Sequence, residues 1–364
     1  MDHLVTLLTR QADSEATPEC TTGNEYDGRM GLRIASIFVI WFGSTFGAVF
    51  PVFASKHRGM GVPDWSFFVA KFFGSGVIIA TAFIHLLSPA EDALRDPCLT
   101  GPITEYDWVS GIVLMTIFVL FIVELFVMRY STIEGADGHG HSHSGQVVDG
   151  SKGSDVELDP KYENGNGGRR MSQHHPGNDH LGHAARHNSI EHANNPFSFE
   201  DYKAQLTSIF ILEFGIIFHS VFVGLTLAVA GEEFVTLFIV IVFHQTFEGL
   251  GLGARIASTP WPKGKNWTPY LLGIAYGFTT PIAIAIGLGV RQSYPPGSRT
   301  TLLVNGVFDS ISAGILIYTG LVELMAHEFM FSRTMRNAPL KTLLGALALM
   351  CLGAALMALL GKWA

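Results

Sequence analysis

Charge is the scarcest property of this chain. Asp, Glu, Lys and Arg make up only 15% of its 364 residues, whereas 48% are hydrophobic and the mean hydropathy is positive. A soluble enzyme of this length would carry more charge, with shorter or alternating apolar runs. The N-terminal stretch "MDHLVTLLTRQADSEATPEC" has no basic start followed by an apolar core and a small-residue cleavage site. No cleaved signal peptide is read there, and the first hydrophobic helix serves as the insertion signal. A zincin pattern is also missing: in "HEFMF" the position where a second histidine would follow His327 is Phe331.

What the chain has instead is eight largely uncharged runs of membrane-crossing length, at about 31–53, 65–87, 108–128, 205–230, 233–256, 270–290, 302–327 and 340–361. Backbone polar groups find no water in lipid, so runs of this length must be helices. The expected fold is an all-α membrane protein. An N-terminal arm (1–30) precedes helices one to three (31–130), a polar insert (131–204) and helices four to eight (205–364).

Basic residues vote on orientation. Lys56 and Arg58 lie between helices one and two, Arg255, Lys263 and Lys265 between five and six, and Arg333, Arg336 and Lys341 between seven and eight. The alternate loops are acidic, with Glu91, Asp92, Asp96, Glu105 and Asp107 in one and Glu232 and Glu233 in another. Positive loops stay cytoplasmic, which puts both termini outside the cell. Arg95, Arg291 and Arg299 vote the other way. On this topology Cys20 and Cys98 both face an oxidising compartment and are expected to pair, while Cys351 sits in helix eight.

The insert is rich in Gly, Ser, Asn, Asp and His and is expected to be a disordered cytosolic loop. It holds nine of the fifteen histidines: His139, His141, His143, His174, His175, His180, His183, His187 and His192. Imidazoles spaced one to four apart on a flexible chain suit zinc. A loose site of this kind would buffer or sense metal rather than form an essential step. A solvated linker without a ligand is the plainer reading.

The informative stretch is "FGIIFHSVFVGLTLAVAGEEFVTLFIVIVFHQTFEGLGLGARIA", residues 214–257. His219 and Ser220 interrupt one apolar run, and His244, Gln245 and Glu248 interrupt the next. An ionisable group at mid-bilayer costs on the order of 3 kcal/mol on insertion scales, and is usually functional where it occurs. His244 and Glu248 are four apart and share a helix face. His219 lies about 12 residues before the turn at Gly231 and His244 about 12 after it, so both sit roughly 18 Å from one membrane surface. Two imidazoles, a carboxylate and an amide or hydroxyl oxygen can then converge on zinc, or on ferrous iron or manganese. A His–Glu pair that merely staples two helices is the competing structural account. Further polar interruptions mark a route: His85 and Asp309 toward the outside, Glu213, Glu323 and His327 toward the cytosol.

These residues resemble the ZIP (Zrt/Irt-like) divalent-metal transporters, and more closely the fungal and plant plasma-membrane branch. The resemblance spans nearly the whole chain. It rests on "HSVFVG", "HQTFEGLGLGARIA", "ATAFIHLLSPA" and "TTPIAIAIG", on the eight helices and on the His-rich loop. It implies uptake of zinc, or alternatively iron or manganese, into the cytosol. His219, His244 and Glu248 would be the core ligands, with Ser220 and Gln245 adjacent and Glu323 at the inner exit. It also implies that helices one to three and six to eight form inverted repeats around helices four and five. Some relatives have a glutamate where Val223 stands and another at Thr280, before Pro281; without these, one metal at a time is expected.

The expected protein is a transporter, not an enzyme. It has no cofactor beyond its zinc cargo, sits in the lipid bilayer and has no nucleic-acid partner, and a homodimer is compatible with it. The plasma membrane is the favoured address, ahead of a vacuolar or other internal membrane. Protons compete with metal for imidazole, so transport should weaken as pH falls through about 6.5. Two other classes compete with the transporter. One is an intramembrane zinc hydrolase using Ser220 or a metal-bound water; the other is a receptor with a structural metal.

Overall fold

The computed structural model of the protein describes residues 19–21, 23, 26–57, 59, 61–136, 199–259, 261–262, 264–291 and 295–363. Among them are eight helices long and apolar enough to span a membrane, and no strand. They are α1 (Met30–Lys56), α2 (Asp64–Leu94), α3 (Trp108–Ala136), α4 (Phe199–Val229), α5 (Phe234–Ser258), α6 (Thr268–Val290), α7 (Arg299–Phe331) and α8 (Leu340–Leu360). The histidines of the insert lie outside the described residues, but α3 and α4 extend into its two edges.

Two helices are longer than their apolar runs. Helix α2 continues through "SPAEDAL" to Leu94, and α7 reaches Phe331. Loss of hydropathy marks where lipid contact ends, not where backbone hydrogen bonding ends. Both helices also change winding: Thr81–Leu87 of α2 and Thr319–Phe331 of α7 are π-helical. Such i→i+5 stretches inside long helices concentrate at functional sites.

The packing divides into two groups. Helix α1 packs along α5 and α6, and α6 along α4; separately, α2 packs along α8, and α7 along α2 and α3. The groups meet chiefly where α2 crosses α5 and α4 meets α7. In lipid no hydrophobic force drives helices together, so contact area and small residues decide how closely they approach. Gly74 and Gly251 touch backbone to backbone: a Cβ on Gly251 would lie 2.9 Å from the Gly74 carbonyl oxygen and 3.0 Å from its Cα.

Arg33 is buried in α1 with no exposed surface. Its Nη1 donates to the carbonyls of Leu227 and Ala228 at 3.2 and 3.0 Å, Nη2 to Ala230 O at 2.5 Å and Asp27 Oδ1 at 2.8 Å, and Nε to Gly28 O at 3.1 Å. Three of these acceptors close the C-terminal end of α4, where carbonyls lack intrahelical donors and the dipole favours a cation. Arg33 thereby fixes the α4–α5 turn against α1. Its hydrogen bond to Asp27 is the main cause holding that carboxyl below its ordinary pKa. Nearby, Cys20 and Cys98 are joined as a disulfide across 78 residues, which ties the N-terminal arm to the α2–α3 loop.

Candidate metal centre

Helices α4 and α5 run antiparallel from a turn of four residues, Ala230 to Glu233, and each carries its donors near mid-span. His219 of α4 faces His244 of α5, with Nε2 to Nε2 at 3.3 Å. One turn along α5, Glu248 Oε1 lies 3.2 Å from the same His244 nitrogen. One donor atom from each of the three falls within 4.8 Å of the others, and no second cluster of three His, Cys, Asp or Glu occurs among the described residues. All three side chains are buried.

The spacing suits a metal better than it suits a staple. Two nitrogens each about 2.05 Å from a tetrahedral zinc are about 3.3 Å apart, close to the observed separation. Two neutral imidazoles cannot both donate into that gap. Neither Glu248 oxygen makes a well-formed hydrogen bond. A closed structural pair would satisfy these atoms. An ion between the rings would accept all three lone pairs at once.

Ser220 and Gln245 point elsewhere, because adjacent residues on a helix are turned about 100° from one another. The Gln245 amide donates to Ser220 Oγ at 3.3 Å and to Thr280 Oγ1 of α6. The Gln245 carbonyl accepts from the Tyr276 hydroxyl at 2.7 Å. These bonds brace α4, α5 and α6 beside the three donors. Gln245 Oε1 is itself left buried and without a hydrogen-bond partner.

His85 bridges the last turn of α8 and the three central donors. Its ring packs edge-on against His244, with centroids 4.7 Å apart, and its Nε2 is 3.1 Å from Met357 O of α8. Asp309 and Glu213 are both buried, and neither Glu213 carboxylate oxygen has a hydrogen-bond partner. The structure does not cluster either of them with the three central donors.

Glu323 is held by Arg255, with Nη2 to Oε2 at 3.4 Å. Sequence reasoning passed over that arginine as a loop charge, together with its second partner Glu328 and with Lys71. It also passed over Glu124 of α3, which accepts a hydrogen bond from the Tyr318 hydroxyl and lines a small cavity with Ser208, Thr319 and Glu323. A carboxylate inside the apolar run of α3 was legible as an intramembrane charge. The Arg255 pairing was not, since it joins α5 to α7 across 68 and 73 residues of sequence.

Residues 30–361 match the ZIP zinc transporter family. The chain belongs to that family. Zinc-regulated transporter 2 of Saccharomyces cerevisiae is 44% identical over 99% of this ZIP chain and 100% of its own length. Zinc-regulated transporter 1 of the same yeast is 41% identical over 94% of the chain and 90% of its own length. Among plant relatives, zinc transporter 3 of Arabidopsis thaliana is 32% identical over 95% and 89%. This ZIP protein is therefore a multi-pass membrane transporter and not an enzyme, which removes the hydrolase reading of Ser220.

Proposed function

We propose that this ZIP transporter carries Zn2+ into the cytosol through one site formed by His219, His244 and Glu248. The observation that carries the reading is the 3.3 Å separation of two buried imidazole nitrogens beside a carboxylate, the edge length of a tetrahedral zinc site. One carboxylate and two neutral imidazoles leave a bound divalent ion with net positive charge. Such a site binds weakly enough to release its cargo, which a site with two or three thiolates would not do. His85 stands against the site, and Asp309 and Glu213 mark its outer and inner approaches. Glu323 and His327 lie at the exit, and Gln245 Oε1 is the nearest further oxygen. Thr280 and Val223 supply no carboxylate, which favours one ion at a time.

The orientation with both termini outside rests on the basic loops, and the plasma membrane is the address we favour. Iron and manganese are the alternative cargo. Three parallels support inverted repeats: α1 on α5 matches α6 on α4, α2 on α8 matches α7 on α3, and α2 and α7 both carry π-wound stretches.

The test is radiozinc accumulation in cells expressing the protein or its His244→Ala, Glu248→Ala double variant, with surface amount measured for both. Uptake abolished in the variant at equal surface amount supports the site. Equal uptake in both removes it.

A further inference from the structure

At the end of the bundle bearing the α5–α6 and α7–α8 loops, four charges form one chain of ion pairs. Lys71 Nζ of α2 lies 2.7 Å from Glu328 Oε2 of α7, and Arg255 Nη1 of α5 lies 3.0 Å from Glu328 Oε1. The other terminal nitrogen, Arg255 Nη2, reaches Glu323 Oε2 at 3.4 Å. One guanidinium thus holds two carboxylates five residues apart. In an α-helix such residues would face directions about 140° apart. The π-winding of Thr319–Phe331 prevents that: bonds such as Ser332 N–H to His327 O at 2.9 Å close five-residue rings, which brings Glu323 and Glu328 to one side.

The place of the guanidinium matters as much as its partners. Arg255 is seven residues beyond Glu248 on α5, about 10 Å along the helix from the metal donors. Its acceptors belong to α7, across the line where the two packing groups meet. A divalent ion leaving the centre past Glu323 arrives where the arginine already neutralises the carboxylates. Planar Arg can grip two carboxylates at once, whereas Lys presents a point charge. The pairs keep some solvent contact, so they are breakable.

We propose that Arg255 is an inner gate. It is a tethered cation that occupies the exit carboxylates Glu323 and Glu328 until a departing metal ion displaces it, while Lys71 steadies Glu328 from α2. The proposal rests on the route through His219, His244 and Glu248 described above. A staple that merely holds α5 to α7 would affect stability but not access to the centre.

The test uses the full chain with Cys351→Ala and His219→Cys, which keeps a metal-binding side chain at the centre, in inside-out vesicles treated with a membrane-impermeant maleimide. The Cys20–Cys98 pair offers no thiol. Adding Arg255→Ala should speed labelling of the buried cysteine about fivefold or more, the low end of coupling between sites, with Arg255→Lys in between. An unchanged rate in Arg255→Ala overturns the gate. Should that variant fail to fold, the Glu323→Gln, Glu328→Gln pair removes the acceptors instead and should give the same rise; an unchanged rate there overturns the gate equally. Zinc protection of the same cysteine reports on the central site alone, so failure of the site reading appears separately, as labelling that zinc does not slow.

Discussion

His219 and His244 present Nε2 to Nε2 across 3.3 Å from opposite arms of the α4–α5 hairpin. One ring can donate to the other across this gap, or both can offer lone pairs to an ion held between them. Replacing His219 by Ala opens one corner of the cage and leaves His244 and Glu248 as a pair. Zinc uptake by that variant, at matched surface amount, should fall on the order of 100-fold. Replacing His85, which packs against His244 and bonds Met357 O without joining the donor cluster, should raise the apparent KM by about tenfold, the scale of losses from outer-shell partners. Equal defects in the two variants would contradict this ranking.

The Cys20–Cys98 bridge closes a loop of 78 residues. Peptide mapping without reductant should recover the two segments as one linked species. The Cys20→Ser, Cys98→Ser variant should lose about 2–4 kcal/mol of stability, seen as a lower melting temperature in detergent. Two free thiols at these positions would refute the pairing.

Asp27 lies outside the membrane spans, and the hydrogen bond from Arg33, aided by the nearby Arg29 charge, holds its pKa below 3.8. A carboxylate depressed in the folded state contributes stability that is complete above its unfolded pKa and is lost as pH falls through its folded one. The melting-temperature gap between the wild type and Asp27→Asn should stay constant near neutrality and close as pH drops below about 4. A gap unaffected by acid would mean that Arg33 draws its support elsewhere.

Gly74 and Gly251 leave no room for a methyl group. Gly251→Ala should push α2 away from α5 and cost about 1–3 kcal/mol, the usual range for overpacking. Thermal unfolding of the purified protein measures this directly. Gly345, with open space around its Cβ position, is the control, and its Ala variant should melt at the wild-type temperature.

The eight spans and the three central donors were legible because each depends on one local signal. Apolar length reports a crossing, and i,i+4 spacing plus equal distance from a short turn reports a shared depth. The features that escaped depend on backbone winding or on three helices meeting. Hydropathy ends where lipid ends, so the continuation of α2 through Glu91 to Leu94 left no trace in it, nor did the packing of His85 against His244. Nothing in "LVELMAHEF" announces π-winding, so nothing in it brings Glu328 to the side of Glu323. Arg33 was visible inside an apolar run, but its partners, the carbonyls ending α4, lie about two hundred residues away in sequence.

The crossing of Gly74 with Gly251 has a consequence for where an ion can travel. Two main chains in direct contact leave no crevice between them, and Gly251 is only three residues past Glu248, about 4.5 Å along α5. That seam leaves no room for a side chain one turn beyond the donors. On the proposed route, cargo would pass the other flank of α5, where α4 meets α7.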